Sequence, residues 1–464
     1  MNTKLTMLSL VVSAALAGCS SGTATGPGSA IGVITGFGSV YVNGVEYETG
    51  GASVDIDGQA GTENDLAVGQ MVTLHGSINA NGITGNATSI SFADNVEGVV
   101  ISTAIAADGT GSLDVMGQTV TVTAQTLFES GVTGINLIND IVNGNIVEVS
   151  GFSQGDGNIT ATYIEAKASS FSGQVMEVKG LVSALDTGAK TFQIGSLVVD
   201  YGSATMELGS RALANGLYVE AKTMSAISGS TMAASKVELE SDGDMDIDVA
   251  EGEEIKIRGL ITEVGADYII LNGQTVYFTG SVESEDGLAL ENLSTGMMVE
   301  LEAYMSAAGQ LMAMEVESEK EDDFSIRAHL QAVDMVNKTV TILGQTIHVD
   351  TNTMMRDERD EGITPVRYFN LDDLLANNWI KVKFYRDATR GLVATRLERD
   401  DDNSAAGAFK MEGLVEQVDA TTFTIAGVVI DLSHYGTAAV GQELEVTGTY
   451  LNGVLVINSV VLNL

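Results

Sequence analysis

Apolar and polar residues alternate with a period of two over many short stretches of this chain, and turn residues separate the stretches. Around Asn43 and Gly44, the side chains of Val40, Val42 and Val45 fall on one face of the predicted strands. Such alternation is typical of half-buried β-strands, and an Asn-Gly pair suits a two-residue type I′ hairpin turn. The pattern therefore predicts β-hairpins along the chain.

The hairpin pattern recurs six times, and three glycine markers keep the same order within the copies. The first marker opens an apolar strand, the second lies in the hairpin turn, and the third precedes a second pair of strands. In the fifth copy Ala328 replaces the first marker and Asn378 replaces the third. Asn is a reasonable replacement because, apart from Gly, it is the residue that adopts positive φ most readily. The markers are Gly32, Gly98, Gly180, Gly259 and Gly413; Gly44, Gly117, Gly195, Gly273, Gly344 and Gly427; and Gly69, Gly144, Gly216, Gly296 and Gly441.

Each copy predicts five strands, namely one opening strand followed by two hairpins. Spaced leucines between the hairpins, such as Leu288, Leu290 and Leu293, predict a turn or two of helix. The strand count resembles that of the oligonucleotide/oligosaccharide-binding (OB) barrel, which closes its own edges. The predicted fold class is all-β, a tandem array of about six small five-stranded OB-like β-barrel modules. The alternative is a continuous array in which neighbouring copies share a sheet.

Acidic or small-residue stretches lie between the copies and are predicted to be linkers. Like charges repel one another and keep such a segment extended. The predicted organisation is a signal peptide at 1–18, a lipidated cysteine with a flexible tether at 19–29, and modules at 30–93, 94–167, 168–240, 241–318, 319–399 and 400–464.

The amino-terminal residues predict export and a lipid anchor. Lys4 precedes an apolar run, and the sequence LAGCS at 16–20 resembles the bacterial lipoprotein box. The resemblance implies cleavage before Cys19 and lipidation of its thiol. In that family, Ser20 after the cysteine implies delivery to the outer membrane, facing the periplasm or the cell surface. The alternative is a secreted protein with an unmodified cysteine; since Cys19 is the single cysteine, no internal disulfide is possible.

The segment 32–44, GVITGFGSVYVNG, resembles the start of a repeated domain of unknown function found in bacterial lipoproteins. The match is good in the first copy and looser in the others, with the third and fifth copies departing most. That family has no established activity or catalytic residues. The resemblance therefore implies a repeated β-module and no particular chemistry.

The formal net charge of −40 restricts the possible partners. Such a surface repels nucleic-acid phosphates, so no nucleic-acid partner is predicted. With 62 acidic residues, carboxylate pairs arise by chance. There is no G-x-S-x-G elbow on a strand-to-helix turn, no metal-type histidine motif and no phosphate-binding loop. The sequence predicts no enzyme, no cofactor and no metal; a cell-surface hydrolase is kept as an alternative.

Acidic residues at two places raise the question of calcium. Four alternating aspartates run from Asp242 to Asp248, and a strand would place their carboxylates on one face. Ile247 stands where a calcium loop needs glycine, so only weak binding, on the order of millimolar, is expected. The alternative is an acidic linker. Asp55 and Asp57 form a weaker version of the same pattern.

The fifth copy carries a candidate ligand patch. Residues 319–399 contain 12 of the 22 basic residues of the chain. Lys381 and Lys383 alternate with apolar residues and are predicted to face solvent, and Arg386 and Arg396 belong to the same hairpin. The patch would suit an anionic glycan or an acidic partner, such as an envelope protein or a neighbouring copy of this chain. The alternative is an ordinary charged strand face.

These observations together predict a non-catalytic structural or binding array at the cell envelope, anchored in the membrane through Cys19. Repetition of the module would supply reach and avidity. The alternative functions are an anionic-polysaccharide module and a weak calcium-binding surface.

Overall fold

The computed structural model describes residues 26–153, 155–241, 249–278, 282, 288, 290–320, 322–359, 368–401 and 404–462. Every regular element in these ranges is a β-strand or a single 3-10 turn, which confirms the all-β prediction. Across the same ranges, no helix is both long enough and apolar enough to pass through a membrane. The predicted signal peptide at 1–18, Cys19 and the aspartates at 242–248 lie outside the described residues.

The first three modules each begin with an opening strand and end with a hairpin. Module 1 comprises β1 (Gly26–Phe37), β2 (Val40–Val42), β3 (Val45–Glu48), β4 (Ser53–Ile56), β5 (Gln59–Gly61), β6 (Met71–Ile78) and β7 (Thr84–Phe92). Module 2 comprises β8 (Val96–Ile105), β9 (Gly111–Val115), β10 (Gln118–Val122), β11 (Leu127–Ser130), β12 (Ile146–Ser153) and β13 (Asn158–Ala168). Module 3 comprises β14 (Met176–Leu181), β15 (Ser183–Asp186), β16 (Thr191–Ile194), β17 (Leu197–Asp200), β18 (Thr205–Glu207), β19 (Tyr218–Thr223), β20 (Thr231–Ala233) and β21 (Lys236–Ser241).

The last three modules repeat this order. Module 4 comprises β22 (Glu254–Val264), β23 (Tyr268–Leu271), β24 (Gln274–Tyr277), β25 (Met298–Met305) and β26 (Leu311–Ser318). Module 5 comprises β27 (Phe324–His329), β28 (Ala332–Asp334), β29 (Thr339–Ile342), β30 (Gln345–His348), β31 (Met354–Asp357), β32 (Trp379–Asp387) and β33 (Gly391–Asp400). Module 6 comprises β34 (Ala408–Leu414), β35 (Gln417–Val418), β36 (Thr422–Ile425), β37 (Val428–Asp431), β38 (Glu443–Leu451) and β39 (Val454–Leu462).

The predicted helical segment between the hairpins is a single 3-10 turn. A stretch of three residues is too short for an α-helix, whose first hydrogen bond already spans four residues. The turns are Glu63–Asp65, Ile138–Asp140, Leu290–Asn292, Leu371–Asp373 and, in module 6, Leu432–His434.

The five main strands close into a barrel in modules 1, 2 and 4. In module 1, β1 pairs with β2 and β6, β2 pairs with β3, and β6 pairs with β7. The ring closes because β3 runs parallel to β7. The strands of module 5 lie in one sheet, whereas modules 3 and 6 divide theirs between two sheets.

The third marker is glycine because the backbone at this position has a positive φ. Gly69 has a φ of 96°, and its N–H donates to the carbonyl of Ile34 in β1 at 2.8 Å. In module 5 the equivalent residue is Asn377, with a φ of 70° and a 2.7 Å bond to the Leu330 carbonyl. The prediction of Asn378 is therefore wrong by one position. Asn378 instead accepts the return hydrogen bond from the Leu330 N–H at 2.8 Å.

The first marker and the hairpin turn recur together because they touch. The Asn43 side chain lies over Gly32, so a Cβ on Gly32 would overlap the Asn43 amide. That amide donates to the Ile31 carbonyl at 2.9 Å. In module 4 the Asn272 amide covers Gly259 in the same way. In both modules the Asn side chain of the Asn-Gly turn thus packs against the opening strand.

Neighbouring modules join edge to edge rather than standing apart. β8 pairs with β14 between modules 2 and 3, β27 pairs with β34 between modules 5 and 6, and β1 runs parallel to β22 between modules 1 and 4. Modules 2 and 3 share one hydrophobic core, and modules 5 and 6 share another. The five-stranded units exist as predicted, but neighbours share sheets as in the alternative interpretation.

Module 1 lies against four other modules. Its strand β1 begins at Gly26, so the last part of the predicted tether 19–29 is strand, paired with β6 and β22. Module 1 contacts module 4 through the β1–β22 ladder and module 2 through the hydrogen bond that the Met71 N–H donates to Ser150 Oγ at 2.9 Å. It contacts module 3 through the ion pair of Asp57 with Lys179 at 3.1 Å. It contacts module 5 through the edge-to-face rings of Phe37 and Tyr368, whose centroids are 6.5 Å apart.

Candidate functional site

The residues of the predicted ligand patch are paired with carboxylates of this chain. Lys381 Nζ lies 3.9 Å from Glu398, and Arg396 pairs with the same carboxylate. Arg386 pairs with Glu416 of module 6 at 2.6 Å. These pairs use the positive charge within the chain, which leaves little of it for an anionic glycan.

Lys383 does not face solvent, and this part of the prediction is wrong. Its side chain is 11% exposed, its Nζ donates to the carbonyl of Ala124 at 2.9 Å, and Asp322 lies 3.5 Å away. Alternation along β32 indicates a polar face, but module 2 covers that face at this point. The charge therefore serves a contact between modules 2 and 5.

Replacing Lys383 by Met is expected to lower the free energy of unfolding by about 1.5–3 kcal/mol, because the hydrogen bond from its charged Nζ to the Ala124 carbonyl is lost. Urea denaturation of the full chain, followed by circular dichroism, measures the change. Lys381→Met is the matched control, since the Lys381 side chain is 28% exposed and its Nζ lies as far as 3.9 Å from Glu398. Equal losses in the two variants would contradict the assignment of Lys383 to the contact.

A row of acidic side chains crosses the sheet that modules 2 and 3 share. Like charges directly opposite one another on neighbouring strands are destabilising, so the row needs counter-charges. Lys167 lies 2.9 Å from the carboxylate of Glu148, and Lys222 lies 2.9 Å from that of Glu177. The row on four successive strands is Glu165, Glu148, Glu97 and Glu177.

Lys179 lies beside this row, where modules 1, 2 and 3 meet. Its side chain is 6% exposed, and its Nζ is 3.1 Å from both Asp57 and Glu220 and 3.6 Å from both Asp94 and Glu177. Burial lowers the pKa of Lys179, but the surrounding carboxylates more than offset this, and its pKa lies well above the usual value. The ammonium group therefore stays charged inside the protein.

Asp94 is the most buried carboxylate of this region, at 1% exposure. It lies in the connection between β7 and β8, and its N–H donates to Asp57 Oδ1 at 3.0 Å. Neither of its side-chain oxygens accepts a hydrogen bond from any residue that the structure describes. Burial raises the pKa of Asp94 well above its usual value, and Lys179 offsets this only in part.

We call these residues the junction cluster. Seven carboxyl groups face three ammonium groups in it, which leaves an excess of four negative charges when all are ionised. The cluster consists of Asp57, Asp94, Glu97, Glu148, Glu165, Glu177, Glu220, Lys167, Lys179 and Lys222.

Two sets of three carboxylates in the junction cluster have the geometry to hold a metal ion. In each set the nearest oxygens lie within 4.8 Å of one another. Lys179 lies within ion-pair distance of every member of the first set. Among the described residues, Glu97 of the second set has no ion-pair partner, and burial raises the pKa of Glu97 to about 7. The sets are Asp57, Asp94 and Glu177, and Asp94, Glu97 and Glu148.

A family comparison accounts for the repeated module. The model of a family described as a domain of unknown function, DUF5666, matches residues 30–91, 97–165, 179–238, 258–317 and 330–398, which is more than half of the chain. The chain belongs to the DUF5666 family. The five matches fall on modules 1 to 5 and confirm the resemblance to a repeated domain of unknown function. Module 6, outside the matches, keeps the DUF5666 order of an opening strand and two hairpins.

Comparison with individual proteins adds little to the DUF5666 assignment. No curated protein matches the chain. One solved structure with similarity is a multidomain protein with nucleic acid binding domains from Streptococcus pneumoniae TIGR4, at 13% identity. The match covers 45% of this chain and 73% of that chain, with a TM-score of 0.12. A likeness at that TM-score carries no weight for fold or ligand.

The sequence interpretation of this DUF5666 chain singled out Asp57 but no other member of the junction cluster. One available signal is the residue before the first marker, which is charged in copies 2 to 6. A strand position that is charged in successive copies of a module indicates a polar contact between copies. The residues are Glu97, Lys179, Arg258, Arg327 and Glu412.

Proposed function

We propose that this DUF5666 protein is a non-catalytic structural or binding lipoprotein of the cell envelope, held at the outer membrane by a lipidated Cys19. The observation that supports the proposal most is the joining of modules by shared sheets and shared cores. Joined modules cannot reorient freely, so they present a fixed surface. In this proposal repetition serves to build a stiff body more than to extend reach.

One feature favours a role without catalysis, and a second favours a role without nucleic acid. A cavity between modules 2 and 4 has a volume of ≈ 70 Å³, whereas small-molecule sites span roughly 300–1,000 Å³. In this proposal the OB-like barrels act as building units, because a net charge of −40 repels the oligonucleotides that some OB barrels bind. The cavity is lined by Thr121, Phe152, Ser153, Asn158, Leu260 and Asn272, among others.

The anchor would hold the folded modules next to the bilayer. β1 begins at Gly26, so six residues, 20–25, lie between Cys19 and the first strand. Even when fully extended, six residues span only about 20 Å. Lipid attachment at Cys19 would therefore place module 1 at the membrane surface, with the other modules fixed around it.

Replacing Cys19 by Ala is expected to remove the protein from the outer membrane, because the thiol that carries the lipid is lost. Cell fractionation with immunoblotting measures this, and the precursor is expected to keep its signal peptide. Ser21→Ala, in the same segment, is the control and should stay in the outer-membrane fraction. Outer-membrane association of the Cys19→Ala protein equal to wild type would refute the anchor.

A further inference from the structure

We propose that the junction cluster binds a hard divalent cation, Ca²⁺, through the carboxylates of Asp94, Glu97 and Glu148. The site lies where modules 1, 2 and 3 meet, far along the sequence from the aspartates at 242–248. It gives the array a ligand that the structural role alone does not require. The proposal is independent of the lipid anchor.

The donor set suits calcium. Ca²⁺ binds oxygen ligands at about 2.3–2.6 Å, so ligand atoms around one ion lie up to roughly 5 Å apart. The three carboxylate oxygens lie within 4.8 Å of one another, as one coordination shell demands. An all-oxygen set disfavours Zn²⁺ and Cu²⁺, which prefer imidazole or thiolate ligands. Glu97 is partly exposed, so water has access to the remaining positions.

The carboxylate of Asp94 is an independent sign of a ligand. A side chain at 1% exposure normally has hydrogen-bond partners, because burying an unsatisfied carboxylate is very unfavourable. Both Asp94 oxygens lack a hydrogen-bond donor within the described part of the chain, and Lys179 Nζ is 3.6 Å from Oδ1. The missing hydrogen bonds indicate a further ligand of Asp94 beside Lys179.

The charges of the junction cluster place the ion in the second set of carboxylates. Lys179 lies within ion-pair distance of all three carboxylates of the first set. In the second set Lys179 pairs with Asp94 and Lys167 pairs with Glu148, which leaves Glu97 without a lysine partner among the described residues. Glu97 stands between Glu148 and Glu177 on neighbouring strands and has no cation of its own in the described structure. A divalent ion there would halve the excess of four negative charges and offset the like-charge contact between Glu97 and Glu148.

Isothermal titration of the full chain with CaCl₂, after EDTA treatment, tests the proposal. Wild type should bind one Ca²⁺ at this site with a Kd on the order of 10⁻⁴–10⁻³ M, as extracellular calcium modules do. Its Tm should rise by several degrees in 10 mM CaCl₂ and stay unchanged in NaCl of equal ionic strength. Glu97→Gln should weaken binding at least tenfold and clearly reduce the shift.

Glu412→Gln is the matched control. Glu412 occupies the same place in module 6 and also faces a carboxylate, Glu445, but Lys410 lies 2.6 Å and 3.1 Å from the two carboxylates. This variant should bind calcium as wild type does. Any calcium bound by the acidic stretch 242–248 should still bind to Glu97→Gln. The titration of this variant therefore distinguishes that binding from binding at the junction cluster.

The proposal fails if wild type binds no Ca²⁺ up to 10 mM, if NaCl reproduces the Tm shift, or if Glu97→Gln binds as wild type. Glu97→Gln removes a like-charge contact, so without calcium its Tm should equal or exceed that of wild type. Asp94→Asn provides a second variant, read by the same titration. Unchanged calcium binding in a folded Asp94→Asn protein likewise overturns the proposal.

Discussion

Replacing Lys179 by Met should lower the free energy of unfolding by about 3–5 kcal/mol, the effect of removing one partner from a buried ion pair. The Met side chain fills most of the space of the lysine stem but provides no charge. The four carboxylates within 3.6 Å of Lys179 Nζ would then face one another without a cation. Modules 1, 2 and 3 should all lose stability, because the lysine contacts carboxylates of each of them.

The loss should depend on pH. Burial raises the folded-state pKa of Asp94 and of Glu177, and removal of the ammonium raises both further. A carboxyl group whose pKa is raised by folding takes up protons more readily when folded, so stability falls as pH rises from about 4 through the folded-state pKa. The variant should therefore be closest to wild type near pH 5 and furthest from it above pH 7.

Urea denaturation at pH 5 and pH 8, with EDTA in both buffers, measures the Lys179 effect. Lys236→Met is the control, because Lys236 pairs with Glu207 and Glu238 at the surface, where ion pairs contribute little. A loss of similar size in both variants, or a loss that is the same at both pH values, would contradict the role given to Lys179.

Replacing Gly157 by Ala should lower the free energy of unfolding by about 2–5 kcal/mol. Gly157 has a φ of 96°, and the left-handed region costs a residue with a side chain about 1–2 kcal/mol. A Cβ there would also overlap the Cα of Gly195 in module 3, and overpacking costs typically 1–3 kcal/mol. The obstacle is backbone, so no rotamer change relieves it.

Gly216→Ala isolates the packing effect of Gly157. Gly216 has a φ of 87°, close to that of Gly157, but nothing lies within 4 Å of the position of an added Cβ. Its replacement should show the conformational effect alone. Scanning calorimetry of both variants should show the larger shift for Gly157→Ala, in the transition that modules 2 and 3 share. A shift no larger than that of Gly216→Ala would argue against tight packing between the modules.

Local pattern is enough to predict the strands and most of the turns. The Asn43–Gly44 pair has φ values of 47° and 71°, as a type I′ turn requires. Gly, Asn and alternating apolar residues act over a few positions, so their effects can be recognised without a partner strand. The error of one position at Asn377 arises because two adjacent asparagines satisfy the same sequence rule.

Period-two alternation by itself does not predict which modules contact one another. Lys383 alternates with apolar residues as a solvent-facing residue would, and only the position of module 2 shows that it is covered. Glu97 and Lys179 likewise resemble ordinary strand-surface charges until their strands pair. Pairing between strands of different modules depends on edges far apart in sequence, and period-two alternation contains no information about which edges meet.

The parallel pairing of β1 with β22 also constrains when the protein can finish folding. The Asn43 amide donates to the carbonyl of Lys256, 213 residues later in the chain. At a synthesis rate of roughly 5–20 residues per second, that stretch takes on the order of 10–40 s to appear. Until then the edge of β1 that later pairs with β22 lacks this partner and remains available to strands of other nascent chains.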